Sequence, residues 1–183
     1  MAASREERDY YHIVKRYIES QKQEYNVISN CFNYYVWEVQ SYDRDETFSL
    51  LDNYLSEDLK LVTIQLGENV VECETYKKDY ISLIEHIKKY SPLCKIILIG
   101  DFWWSDKRGD IKRVIARETN SVYISLQKIQ NKEKYACNIG AKVYDKEGNI
   151  HDVEHAGVAR HPNDLAMEYI ADEIILRLKL LKI

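Results

Sequence analysis

The chain has 183 residues, one domain's worth, and 45% of them are hydrophobic, enough for a single core. Its 26 basic and 30 acidic side chains leave a net charge of −4, which removes the electrostatic case for nucleic acid, whose binders carry a basic stripe. No apolar run approaches the roughly 18 residues of a membrane span, and Met1 to Tyr10 holds no apolar core of a signal peptide. The chain as written is therefore expected in the cytoplasm, unless its true start lies upstream.

In chain order, Arg5 to Gln23 reads as a helix, with Tyr10, Ile13, Val14, Tyr17 and Ile18 in one stripe. Residues 25–32 form a short β-leaning run, and Asp45 to Ser56 is helical again through Phe48, Leu51 and Leu55. Leu59 to Leu66 is a strand ending at Gly67-Glu68-Asn69, followed by a helix from Tyr76 to Tyr90 that Ser91-Pro92 closes. Cys94 to Ile99 is an almost fully apolar strand ending at Gly100-Asp101. Asp110 to Glu118 is a helix and Val122 to Leu126 a strand. An irregular stretch from Lys128 to Arg160 contains a hairpin or turn at 145–149, and the last helix runs from about Asn163 to Lys179.

Strands alternating with helices imply βαβ units and a parallel sheet with helices on both faces, an α/β fold. In such sheets ligands bind beyond the carboxyl ends of the strands. The loops at Gly67-Glu68-Asn69, Asp101-Phe102-Trp103-Trp104 and 155–164 are expected there. His161, between a proline-stiffened turn and a helix start, has the fixed placement that a general base needs. Asn69 offers a carboxamide N–H, the neutral donor that an oxyanion hole requires. Taken singly, each also has an ordinary reading, as a residue preceding a helix and as a turn asparagine.

Other conspicuous residues have bland readings. Cys31, Cys73, Cys94 and Cys137 stand singly and read as buried free thiols. His151, Asp152, Glu154 and His155 resemble a ligand cluster but have no secondary structure to converge them, so neither metal nor cofactor is expected. His12 and His86 fall on helices as ordinary surface or boundary residues, and Glu68 is expected to hydrogen-bond within its own loop. Trp103 and Trp104 either wall a pocket or simply pack.

Leu66-Gly67-Glu68-Asn69-Val70, Gly100-Asp101-Phe102-Trp103 and Gly157-Val158-Ala159-Arg160-His161-Pro162-Asn163-Asp164, with Met167, match the order of conserved blocks in the SGNH/GDSL-type serine hydrolases, which the chain resembles over nearly its whole length. The resemblance implies a three-layer α/β/α sandwich with a flavodoxin-like sheet and a Ser-His mechanism on small esters, O-acetylated carbohydrates among them. It makes His161 the general base and Asn69, with Gly67, the oxyanion donors. Trp103 and Asn33 are the candidates for the substrate pocket.

Three departures qualify the resemblance. The family opens with a strand and a Gly-Asp-Ser or Gly-Asn-Ser block carrying the nucleophile, and neither tripeptide occurs here. Met1 to Tyr10 looks like the loop that leads from that block into the family's first helix, and Ser4 in it is a candidate substitute nucleophile that lacks a preceding strand to hold it. The aspartate that often precedes the histidine by three residues is replaced by Val158. The orienting role then falls to a backbone carbonyl, to Asp152, Glu154 or another carboxylate, or to none in a dyad. The glycine that supplies a further oxyanion N–H is not evident, and Asn30 or Asn33 occupies its neighbourhood.

Without the first strand, four parallel strands are expected, at 25–32, 59–66, 94–99 and 122–126, and the gap between the first two would be closed by shifting, filled by a partner chain or simply left. Two other functions compete with an esterase domain. One is a non-catalytic interaction module on the same scaffold. The other, a receiver-like or phosphate-binding module, is disfavoured because Asp101 is the only carboxylate immediately at a strand end.

Overall fold

The computed structural model describes residues 3–22, 24, 26–40, 42–71, 74–103, 106–145 and 147–182, with the backbone alone at 106 and 107. The elements in chain order are α1 (Tyr10–Gln21), α2 (Tyr35–Val39), β1 (Leu61–Ile64), α3 (Tyr76–Tyr90), β2 (Lys95–Ile99), α4 (Asp106–Glu118), β3 (Val122–Ile124), β4 (Lys142–Tyr144), β5 (Ile150–Asp152) and α5 (Asp164–Leu181). They fall into two compact units. A central unit spans Phe32–Ser125, and a terminal unit combines Met1–Cys31 with Leu126–Ile183.

The central unit is an α/β layer built on a three-stranded parallel sheet in the order β1-β2-β3. Leu61 pairs with Lys95 and Ile64 with Leu98, while Ile97 pairs with Val122 and Ile99 with Ile124. Parallel neighbours need a crossover, and α3 and α4 supply the two crossovers. β2 lies in the middle, so Ile96, Ile97, Leu98 and Ile99 are all buried, whereas β1 fully buries only Ile64. The continuous apolar run at 96–99 is the signature of that position. On α3, Tyr76, Tyr80, Leu83, Ile84 and Ile87 recur at helical spacing and face the core. Trp37 of α2 packs edge-on to Tyr80, with ring centroids 5.3 Å apart.

In the terminal unit α1 contacts α5. The α5 stripe of Met167, Ile170, Ala171, Ile174 and Leu178 is buried. Asn163 caps α5, its side chain accepting from the Ala166 N–H, and Asp9 caps α1 by accepting from the His12 N–H. β4 and β5 pair as an antiparallel hairpin, Val143 opposite His151. The turn expected at 145–149 closes that hairpin. Asp145 accepts from the Glu147 and Asn149 N–H groups there, an Asx-type turn.

Several expectations need correction. The fourth strand, at 25–32, is not formed: residues 26–32 run without a ladder, and Ile28 is 84% exposed. Its β-leaning side chains are a local preference, and a strand exists only where a neighbour completes its hydrogen bonds. The first helix is interrupted at Asp9, whose extended backbone separates a 3-10 turn, Glu6–Arg8, from α1. The helix expected at 45–56 is two 3-10 segments, Arg44–Leu50 and Asp52–Tyr54. α2 was not anticipated, being too short for periodicity to reveal. No described helix is long and apolar enough to cross a membrane.

Candidate functional site

In the central unit, the loops following β1 and β2 leave the carboxyl ends of adjacent strands. Gly67 turns the first loop at φ +127, a conformation that favours glycine. A Cβ there would collide with the Tyr76 hydroxyl and lie 3.2 Å from Asp101 Oδ1. The loop is clamped from α4, where Arg108 Nη1 donates to the carbonyls of Gly67 at 2.7 Å and Val70 at 2.6 Å. It is clamped again from α2 by the buried Glu38. Oε2 of that carboxylate accepts from Asn69 Nδ2 at 2.6 Å, and Oε1 accepts from the Gly67 N–H. The Gly67 N–H, expected as an oxyanion donor, thus serves Glu38. The exposed Asn69 carboxamide keeps a second hydrogen that a ligand oxygen could take.

The second loop is fastened to the first. Glu68 reaches across it rather than bonding within its own loop, and its carboxylate accepts from the N–H groups of Phe102 and, at 3.2 Å, Trp103. Burial and the neighbouring Asp101 raise the Glu68 pKa to about 7, outweighing the Phe102 and Trp103 N–H bonds and Lys112. Beneath it, Asp101 and Lys112 form a fully buried pair, with Nζ 2.7 Å from Oδ1 and 3.1 Å from the Ile99 carbonyl. Asn33 is exposed and its Oδ1 accepts from the Tyr35 N–H, starting α2. Trp103 is half-buried, and Trp104 lies outside the described residues.

In the terminal unit the His161 segment is held mainly through backbone. The His161 carbonyl accepts from the Cys137 N–H at 2.8 Å, and the Asn163 N–H donates to the Tyr135 carbonyl at 2.9 Å. Ala136 and Pro162 form a β-bridge, and Asn163 Nδ2 donates to the carbonyls of Lys134 and Ala136. His161 Nδ1 lies 3.0 Å from the Gly157 carbonyl and 3.2 Å from that of Val158. A carbonyl can only accept, so Nδ1 carries the hydrogen and the neutral ring has its lone pair at Nε2. Of the orienting partners expected for this ring, backbone carbonyls are the ones found at Nδ1. Asp152 is engaged elsewhere, bonded to Lys142 at 2.7 Å, and Glu154 is exposed.

Ser4 is not poised as a nucleophile. Its Oγ donates to Asp164 Oδ2 at 2.6 Å and its N–H donates to Oδ1 at 2.7 Å. Burial opposes ionisation of Asp164, but the bonds from Ser4 and Arg8 outweigh it and hold the carboxyl below its usual range. Two open hollows of about 350 and 340 Å³ adjoin Ser4. His12 does more than sit on a surface: its Nδ1 is 2.8 Å from the fully buried Asp9, which also accepts from the Tyr144 hydroxyl. His151 bonds to Asp145 at 2.6 Å, and among the described residues no three potential metal ligands converge. Cys94 and Cys137 are buried thiols as expected, Cys31 is exposed instead, and Cys73 lies outside the described residues.

Glu38, Lys112 and Arg108, which fasten the loops after β1 and β2, do not stand out in the sequence. Each is a charged residue in an ordinary helical or turn context, and only the tertiary fold reveals its partners. Lys112 stands one helical turn before the buried Ile115 and Ala116, a faint sign that its side of the helix turns inwards. No protein-family model matches this chain, and no curated protein matches it.

Proposed function

We propose that the chain is part of an SGNH/GDSL-type serine hydrolase with the family's three-layer sandwich, cleaving small esters such as O-acetylated carbohydrates by a Ser-His mechanism. His161 is the general base, Asn69 the oxyanion donor, and Gly67 the residue that shapes the oxyanion loop. Trp103 and Asn33 are the pocket candidates. The nucleophile is the serine of a Gly-Asp-Ser or Gly-Asn-Ser block, which these 183 residues do not contain.

The observation that carries this reading is the orientation of His161. Its Nδ1 hydrogen goes to the Gly157 and Val158 carbonyls, which leaves the basic lone pair on Nε2, the atom that must take the serine proton. As serine attacks the acyl carbon, Nε2 accepts that proton and later returns it to the leaving alkoxide. Water then repeats the cycle on the acyl-enzyme. Negative charge gathers on the former carbonyl oxygen, and the Asn69 N–H stabilises it.

The test is p-nitrophenyl acetate hydrolysis by the product of the reading frame extended upstream of Met1 through such a serine block. His161→Ala is expected to lower kcat by about 10²–10⁴-fold. Activity surviving that change removes His161 from the mechanism. A second reading, a non-catalytic interaction module on the same scaffold, draws on the state of Ser4, whose hydroxyl is committed to Asp164. An in-frame stop codon directly upstream of Met1, with no serine block, favours the module.

A further inference from the structure

We propose that Glu38 is the positioning residue of the Asn69 carboxamide, fixing which of its hydrogens is turned towards a ligand; its consequence for catalysis rests on the hydrolase reading above. An unrestrained asparagine amide rotates about its terminal torsion and can present oxygen or nitrogen equally well. At Asn69 the choice is made by a carboxylate, which can only accept. Glu38 Oε2 takes one Nδ2 hydrogen at 2.6 Å, and the amide oxygen is thereby excluded from that side. The second hydrogen, on the far side of the nitrogen, then has a defined direction. The other carboxylate oxygen takes the Gly67 N–H, so one side chain sets both the backbone and the side-chain ends of the loop.

Glu38 is itself well fixed. Trp37, the preceding residue, is fully buried against Tyr76 and Tyr80. Arg44 Nε donates to the Trp37 carbonyl at 3.0 Å and its guanidinium stacks 5.1 Å from the Trp37 ring. Those contacts hold α2 in register under the loop. Burying a carboxylate is costly, and a neutral acceptor would serve for a purely structural tie. A charged acceptor is the choice that never presents a donor to Asn69 or Gly67. Its negative charge opposes an oxyanion nearby, so the benefit lies in orientation rather than in field.

The test combines NMR with kinetics. In the 183-residue chain, the Asn69 Nδ2 resonances, assigned through Asn69→Ala, are expected to show one downfield, exchange-protected hydrogen. Glu38→Ala should abolish that pattern and Glu38→Gln should weaken it, with folding checked by circular dichroism. In the upstream-extended protein, Glu38→Ala is expected to lower kcat for p-nitrophenyl acetate about tenfold with KM little changed. Glu38→Gln, which keeps one acceptor oxygen, should recover part of the loss. Asn69→Ala should cost about 10²-fold, with no further loss when Glu38→Ala is added, as expected when one residue acts only through the other. Asn69 resonances unmoved by either Glu38 variant overturn the proposal, as does a kcat unchanged in Glu38→Ala. A wild type without esterase activity sinks the hydrolase reading alone, because the amide resonances still decide whether Glu38 holds Asn69.

Discussion

The loop at 67–70 and the segment at 157–163 are immobilised by opposite means. The first is held by charged side chains arriving from elsewhere in its unit: Glu38 from α2 and Arg108 from α4, with the buried Asp101–Lys112 pair packed against Gly67. The second is held by backbone, through the Ala136–Pro162 bridge, the Cys137 and Asn163 amides and the capping side chain of Asn163. Buried charges give direction at a high cost if one partner is lost. Backbone ties tolerate most side-chain changes, because every residue except proline carries the same donor and acceptor. The central loop should therefore be fragile to substitution at positions remote in sequence, and the histidine segment should be sensitive mainly at Asn163.

The largest expected effect is at Lys112. Lys112→Met leaves Asp101 buried beside the carbonyl it no longer shares a cation with, and should lower unfolding free energy by about 3–5 kcal/mol in urea titration. A loss under about 1 kcal/mol would mean that water reaches the pair and that the central loop is not held by buried charge.

A smaller effect is expected at Asn163, which both caps α5 and bonds the 134–136 segment. Asn163→Ala should cost about 1–2 kcal/mol and speed amide exchange at Cys137, whose N–H donates to the His161 carbonyl. Unaltered exchange there would show that the β-bridge alone suffices and would sharpen the contrast between the two regions.

The gentlest effect is a slope in pH. Glu68, raised from 4.5 to about 7 in the folded chain, keeps its proton in the native state where the unfolded chain has already lost it. The native state then binds more protons, so this residue's contribution to stability is complete below about pH 4.5 and is lost as pH rises towards about 7. Glu68→Gln should flatten that decline, measured as urea midpoints across the interval. A slope identical in variant and wild type would show that the Phe102 and Trp103 N–H bonds stabilise the carboxylate more than burial penalises it.

The α/β character, α3 from Tyr76 to Tyr90 and the hairpin around 145–149 could be read from the residues, because periodicity and turn chemistry act over a few positions. The histidine before α5 was legible for the same reason, since Pro162 and Asn163 are local start signals. What covers its ring was open until the fold placed the Gly157 and Val158 carbonyls beside Nδ1. The strand at 25–32 failed because pairing is a property of neighbours, not of β-leaning side chains. Glu38, 31 residues from Asn69, belongs to the same class: hydrogen bonds at that separation depend on which backbone the core brings close, and charge alone carries no such address. Local sequence thus determined α3, the turn at 145–149 and the start of α5. Tertiary packing alone decided which charged groups were buried and whose hydrogens they received.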